Sequence, residues 1–435
     1  MKKFFLFFVV VILVSSVNAR KLENDQYRRN SLYPFFITDF GKLDRNVMSN
    51  VDFACQNYKV PLKYDSHDLN IDRTIQVRNI ELKGKFKPKQ GFFQKEWEKL
   101  KSDVSQKSLE TLERHEMYVR MPKKLAQFLD DNKIANRLIA KWFNASNVMT
   151  DGSFYNMNLI QERGIYSASE LEKLRANESV RGRAILQDAG LELLSHTYVS
   201  FTYFDYETSQ DRNERGKENS AKIFGTSSPL GKAFQESFEN NIKNVSGYKV
   251  KATTYLFKLK WDSNTEDIFI EKYYNKPVSE LLNSNDFEME YVGHQKGPSI
   301  LYEEYTGKGA LGNSMVAGEA TIRAIDASLG YLQREFEDFR VKAPLIDVND
   351  SEITAFIGTK EGVTKKSSFE VLERVYNERK NRYEYKKVSS IKVDKNHPIF
   401  KNDYVFGQEE EPVGKTYFKG SASELAPGML IRQTK

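Results

Sequence analysis

Apolar residues recur every three or four positions from Ile322 through Ile325, Leu329, Leu332 and Phe336 to Phe339, and beyond Pro344 they recur every two. One kind of element cannot satisfy both periods, so this change of repeat divides the chain. Upstream, the stripe predicts one long helix laid on a sheet; it lasts fewer than about three heptads, too short for a coiled coil. Downstream, Glu352-Ile353-Thr354-Ala355-Phe356-Ile357 alternates as a strand, residues 369–376 and 383–393 flank a charged loop as in a hairpin, and Pro427-Gly428 precedes a last strand at 429–432. Short strands without a helical repeat predict a small β-barrel over 348–435, with Phe356, Phe369, Val371, Val388, Ile391 and Leu430 in its core. Residues 343–350 then form a link, because Pro344 disfavours helix at Ala343.

From 145 to 347 the elements alternate, which predicts a central α/β sheet-and-helix domain. Residues 153–163 and 197–206 read as strands, and Ser167-Ala168-Ser169-Glu170 matches a capping box opening a helix that runs towards Leu194. Tyr255, Phe257, Leu259 and Trp261 fall on one face of a strand that begins at 250. Asp262-Ser263-Asn264-Thr265 turns that strand into a hairpin partner at 267–274. The polar stretch 207–220 predicts an exposed insertion. Residues 20–144 combine a strand at 32–37 with helical patterns through Leu125, Phe128, Leu129, Ile134, Leu138 and Trp142, an N-terminal α+β region. The expected fold class is therefore α+β.

Met1, Lys2 and Lys3 precede an unbroken apolar run at 4–14, and Val17-Asn18-Ala19 offers small residues to a signal peptidase. The run is about half of the roughly 20 residues a membrane-spanning helix needs, so residues 1–19 read as a cleaved leader. The product is then exported, periplasmic or extracellular, with no transmembrane segment. Cys55 is the single cysteine, which excludes an internal disulfide framework and a cysteine-based zinc module.

The formal charge of +6 is too small over 435 residues to imply nucleic-acid binding. It is also uneven. Residues 359–395 hold 11 Lys plus Arg against 6 Asp plus Glu, with Phe369, Tyr376, Tyr383 and Tyr385 among them. Such a surface suits an anionic glycan or an envelope protein, and Arg379, Lys380, Tyr383, Tyr385, Lys386 and Lys387 are the candidate partner-binding residues. Lys-rich strands also protect exposed sheet edges, which is the plainer explanation.

The order of a strand at Ser153-Phe154-Tyr155-Asn156-Met157-Asn158-Leu159-Ile160-Gln161-Glu162-Arg163, a capped helix, a second strand, a hairpin and a long closing helix resembles the periplasmic domain of the curli secretion-channel lipoprotein family. Thr354-Ala355-Phe356-Ile357-Gly358-Thr359-Lys360-Glu361-Gly362-Val363, followed by Phe369-Glu370-Val371-Leu372, is similar to the closing β-domain of flagellar outer-membrane assembly protein T. In that family a strand, a Gly-x-x-x-Gly turn and a second strand open the domain. Together the resemblances cover about residues 150–435 and imply an envelope-associated binding or assembly protein.

Catalytic signatures fail at identifiable positions. His115 and Glu116 begin a metalloprotease helix, but Val119 stands where the second zinc-binding His is required. Gly307-Lys308-Gly309-Ala310-Leu311-Gly312 matches a dinucleotide fingerprint, yet no parallel strand ending in an acid follows it. Gly225 is one residue too far from Gly231 for a phosphate loop, and Gly312-Asn313-Ser314-Met315-Val316 lacks the last Gly of a nucleophile elbow. Asp65, His67 and Asp68 could surround a metal, or Asp65 could orient His67 as a base; the same residues suit a turn closed by an Asx-type hydrogen bond. His196 reads as a satisfied buried histidine and Cys55 as a buried thiol. No cofactor is expected. Two functional classes remain: a non-catalytic envelope-associated binding or assembly protein, and a glycan or peptide hydrolase whose Asp/Glu pair is assembled only by the fold.

Overall fold

The computed structural model describes residues 30–38, 45–60, 120–149, 152–167, 182–224, 247–302, 313–350, 352–377, 382–401 and 414–434, with short pieces at 43, 64–65, 69, 71–76, 80 and within 229–236. The expected leader at 1–19 lies outside these residues. The fold class is α+β, built on one six-stranded sheet and one closed barrel.

The sheet is assembled from β1 (Asn30–Thr38), β2 (Tyr64–Asp65), β3 (Thr74–Gln76), β4 (Thr197–Thr208), β5 (Gly247–Leu259) and β6 (Met289–Tyr302). Its order is β2-β1-β4-β5-β6, with β3 also paired to β1. β1 runs parallel to β4, while β4, β5 and β6 are successively antiparallel. The two-residue alternation assigns each side chain a face. Tyr33, Phe35 and Ile37 of β1 join Val199 and Phe201 of β4 and Tyr255, Phe257 and Leu259 of β5 in one core. Leu32 and Phe36, Tyr198 and Phe204, and Val250, Ala252 and Leu256 enter the other.

Helices cover both faces. The first core is closed by α2 (Met121–Asp131), α3 (Ile134–Trp142), α4 (Asn158–Ser167), α5 (Gly182–Ser195), α7 (Ser263–Lys272) and α8 (Val278–Leu282). The second is closed by α1 (Arg45–Gln56) and α9 (Asn313–Glu335). On α9, Ala317, Ala320, Ala324 and Ser328 are all fully buried and let the helix lie close to the sheet. A Cβ on Gly297 of β6 would stand 2.2 Å from the Ser328 nitrogen, so only glycine permits this approach. A buried hydroxyl chain, Thr202 to Thr254 at 2.9 Å and Thr254 to Ser328 at 2.6 Å, fixes the helix in place.

The barrel runs in the order β10-β11-β8-β7-β12-β9, from β7 (Lys342–Val348), β8 (Ile353–Ala355), β9 (Ser368–Asn377), β10 (Arg382–Val393), β11 (Thr416–Lys419) and β12 (Leu430–Gln433). Phe369, Val371, Ile391, Phe418 and Ile431 meet inside it.

Several sequence expectations need correction. The division near residue 144 does not follow the sheet, because β1 from the N-terminal region pairs with β4 along seven positions. The barrel starts at Lys342, six residues earlier than the expected 348, and the supposed link is β7, paired with both β12 and β8. Pro344 fits there because the β8 ladder begins only at Leu345. The core shifts from Phe356, which is half-buried, to Ile357, which is buried, because β8 ends at Ala355. The hairpin partner at 267–274 is instead α7, whose start Asp262 caps by accepting the Thr265 N–H at 2.8 Å. β5 pairs with β6 across α7 and α8. The strand expected at 153–163 is largely α4, and the polar insertion is α6 (Ser209–Phe224). The capping box at Ser167 runs into residues outside those described.

Candidate functional site

The barrel's outer surface gathers lysines that are distant in sequence. Val393 and Phe418 point inward where β10 meets β11, so their neighbours Lys392 and Lys419, a register pair, both point out and are exposed. Lys392 is also in register with Ser368 of β9. The turn before β9 therefore brings the exposed Lys365 and Lys366 to the same corner, and the turn after β10 brings Lys395. Adjacent strands lie about 5 Å apart, and like charges directly opposite across a ladder are destabilising.

Part of this charge is held by geometry. Asp394 lies 3.1 Å from the Lys419 ammonium, and the Asn396 backbone N–H, with Lys419, holds the Asp394 carboxyl below the usual carboxylate range. Lys365 donates to the Lys395 carbonyl at 2.8 Å and to that of His397. The His397 ring stacks on Tyr417 at 4.3 Å, and Lys415 lies 5.4 Å from the centroid of the same tyrosine. Hydrogen bonds to Asp347 and Glu352 push the Lys415 ammonium further up. Lys366, Lys392 and Lys395 are exposed.

The residues singled out from sequence divide between three places. Lys386 and Lys387 are exposed on β10, just before a bulge between Lys387 and Ser389. Tyr385 is turned inward, donating its hydroxyl proton to Glu192 Oε2 at 3.0 Å. Arg379 and Lys380 lie outside the described residues, and so does the side chain of Tyr383. The structure therefore extends the surface from Lys386 and Lys387 to the corner, which the sequence window 359–395 contained in part. Lys419 was missed because β10 and β11 are separated by a long stretch without a readable pattern.

Of Asp65, His67 and Asp68, the first ends β2, while His67 and Asp68 lie outside the described residues. Among the described residues no group of three His, Cys, Asp or Glu stands close enough to hold a metal ion. His196 is half-buried, with Nδ1 2.8 Å from the Glu192 carbonyl oxygen; desolvation, reinforced by Lys342, lowers its pKa to about 4. His294 sits 2.7 Å from the Tyr291 hydroxyl and 5.1 Å from the Tyr255 ring, and burial with Lys296 nearby lowers it to about 4 as well. Burial pushes the Cys55 thiol far up, which removes it as a nucleophile. No helix among the described residues is long and apolar enough to cross a membrane. No protein-family model and no curated protein matches the chain.

Proposed function

We propose that this is an exported, non-catalytic binding or assembly protein of the cell envelope, whose barrel presents a cationic corner to an anionic glycan or an acidic face of an envelope partner. The observation that carries the reading is the facing pair Lys392 and Lys419, kept exposed with Lys365, Lys366 and Lys395 beside them. Like charges facing across a ladder repel, Asp394 offsets only the Lys419 side, and a polyanion would relieve what remains. The aromatic pair His397 and Tyr417 adds a flat apolar surface of the kind sugar rings pack against.

The test is retention on an anionic polysaccharide matrix. The K392E/K419E chain should elute at clearly lower salt than the K59E/K222E chain, which carries the same change of charge at exposed positions elsewhere. Equal elution of the two would remove the corner as the site. Export is tested separately by the N-terminus of protein from its native source, which should be Arg20.

A further inference from the structure

We infer that the barrel is docked on the central sheet through an ionic latch centred on Glu192, and that it swings free as a folded body when that latch is broken. The apolar cores divide at one residue. Phe339 is the last member of the second sheet core and Val341 the first of the barrel core, so Arg340 alone joins them along the chain. The three hydrophobic clusters share no residue across this boundary.

Among the described residues, side-chain hydrogen bonds and ion pairs cross the seam at two acids. Glu192, near the end of α5, receives the Tyr385 hydroxyl proton on Oε2, with Arg374 Nη2 3.9 Å from the same oxygen and Lys342 Nζ 3.7 Å from Oε1. Lys342 also stands 4.9 Å from the Tyr385 ring centroid. One carboxylate of the sheet unit thus engages side chains from β7, β9 and β10. Further along, Arg432 of β12 lies 3.0 Å from Glu337, and Arg340 donates to the Gln433 carbonyl at 3.3 Å. Gly362 of the barrel, in a left-handed conformation at φ +76°, packs against the Arg334 side chain of α9. The sheet unit contributes the acids and the barrel the bases at Glu192 and Glu337, so the attraction has a direction.

Such a seam responds to conditions in a way that an apolar one does not. Apolar burial is non-directional and survives added salt, whereas an ion pair open to solvent, such as Arg432 with the exposed Glu337, weakens as the Debye length shrinks; the Lys342 and Arg374 partners of Glu192 are buried and are screened far less, so the latch itself is broken by substitution rather than by salt. Interfaces within a chain that are not large and hydrophobic permit relative motion of the units they join. The single-residue connection at Arg340 then serves as the pivot. This inference is independent of what the cationic corner binds.

The experiment places spin labels on the full chain at exposed positions of each unit, N283C and S423C, with the buried Cys55 left native. At low salt the pulsed-dipolar distance distribution should be single and narrow. At low salt in an E192R background it should broaden to longer distances while far-ultraviolet circular dichroism stays unchanged, and 1 M sodium chloride should broaden it further by screening Arg432 and Glu337. A distribution that stays narrow in the folded E192R chain would overturn the inference. If E192R does not fold, E192Q, which removes the charge facing Lys342 and Arg374 but keeps an acceptor for Tyr385, is read by the same two outcomes.

Discussion

Two neutral histidines on different elements, His294 buried and His196 half-buried, make the protein acid-labile before its carboxylates titrate. His196 follows α5 and faces Lys342, Glu192 and Lys258, while His294 on β6 faces Lys296 and Tyr291. Both have folded-state pKa values lowered to about 4 from 6.5, with burial as the largest cause. A lowered histidine pKa means that the unfolded chain takes up protons first. The stability tied to each group is therefore complete above pH 6.5 and is lost as the pH falls towards 4. At pH 5 the unfolded form of each is almost fully charged and the folded form almost neutral, which costs about 2 kcal/mol per histidine and about 4 kcal/mol for the pair. Urea unfolding at pH 7 and pH 5 measures this directly, and an H196Q/H294Q chain supplies the control by removing both titrations. The parent should lose several kcal/mol over this range, and the double variant should lose far less. Equal stability of the parent at the two pH values, or an unchanged pH slope in the double variant, would refute the reasoning.

Two further outcomes follow from packing. G297A should destabilise by about 2–3 kcal/mol in urea unfolding, because its new methyl would meet the Ser328 nitrogen at 2.2 Å and the Ala324 oxygen at 2.7 Å, both backbone atoms of a helix that must move away; an unchanged midpoint would mean that α9 is not held against β6. A fragment of residues 342–435 should fold with a β-type circular dichroism spectrum and a cooperative melt, whereas 348–435 should not, since it lacks β7 and leaves β12 and β8 without their shared neighbour; equal folding of the two would show that β7 is dispensable to the barrel.

What was legible in the sequence is what depends on local pattern. The alternation at 197–206 and 250–259, the stripe of α9 and the short strands of the barrel all have one period and one buried face. Failures fell where one residue type serves two purposes. Asp262 and Thr265 suit a hairpin turn and a helix N-cap equally well, and only the cap bond at 2.8 Å distinguishes them. α6 has no continuous apolar stripe; Thr208 and Asp211 cap it reciprocally, Thr208 N–H to Asp211 Oδ2 at 2.9 Å and Asp211 N–H to Thr208 Oγ1 at 3.0 Å, so a search for periodicity passes over it. The parallel pairing of β1 with β4 joins residues more than 150 positions apart, beyond any local rule. The cationic corner was half visible as a basic window. Its other half, Lys419, enters only when β11 is laid beside β10, and Tyr385 left the predicted surface because Glu192 was unknown as its partner.

The central claim, that the barrel corner takes a polyanion, is tested most directly by lysine footprinting. The full chain is acetylated briefly with and without a sulfated oligosaccharide, and modification is read at each lysine by mass spectrometry. Lys365, Lys366, Lys392, Lys395 and Lys419 should be protected by the oligosaccharide, with Lys386 and Lys387 protected to a lesser degree, while Lys59 and Lys222 should react as before. Protection spread evenly over the exposed lysines, or confined to positions away from the corner, would contradict the account.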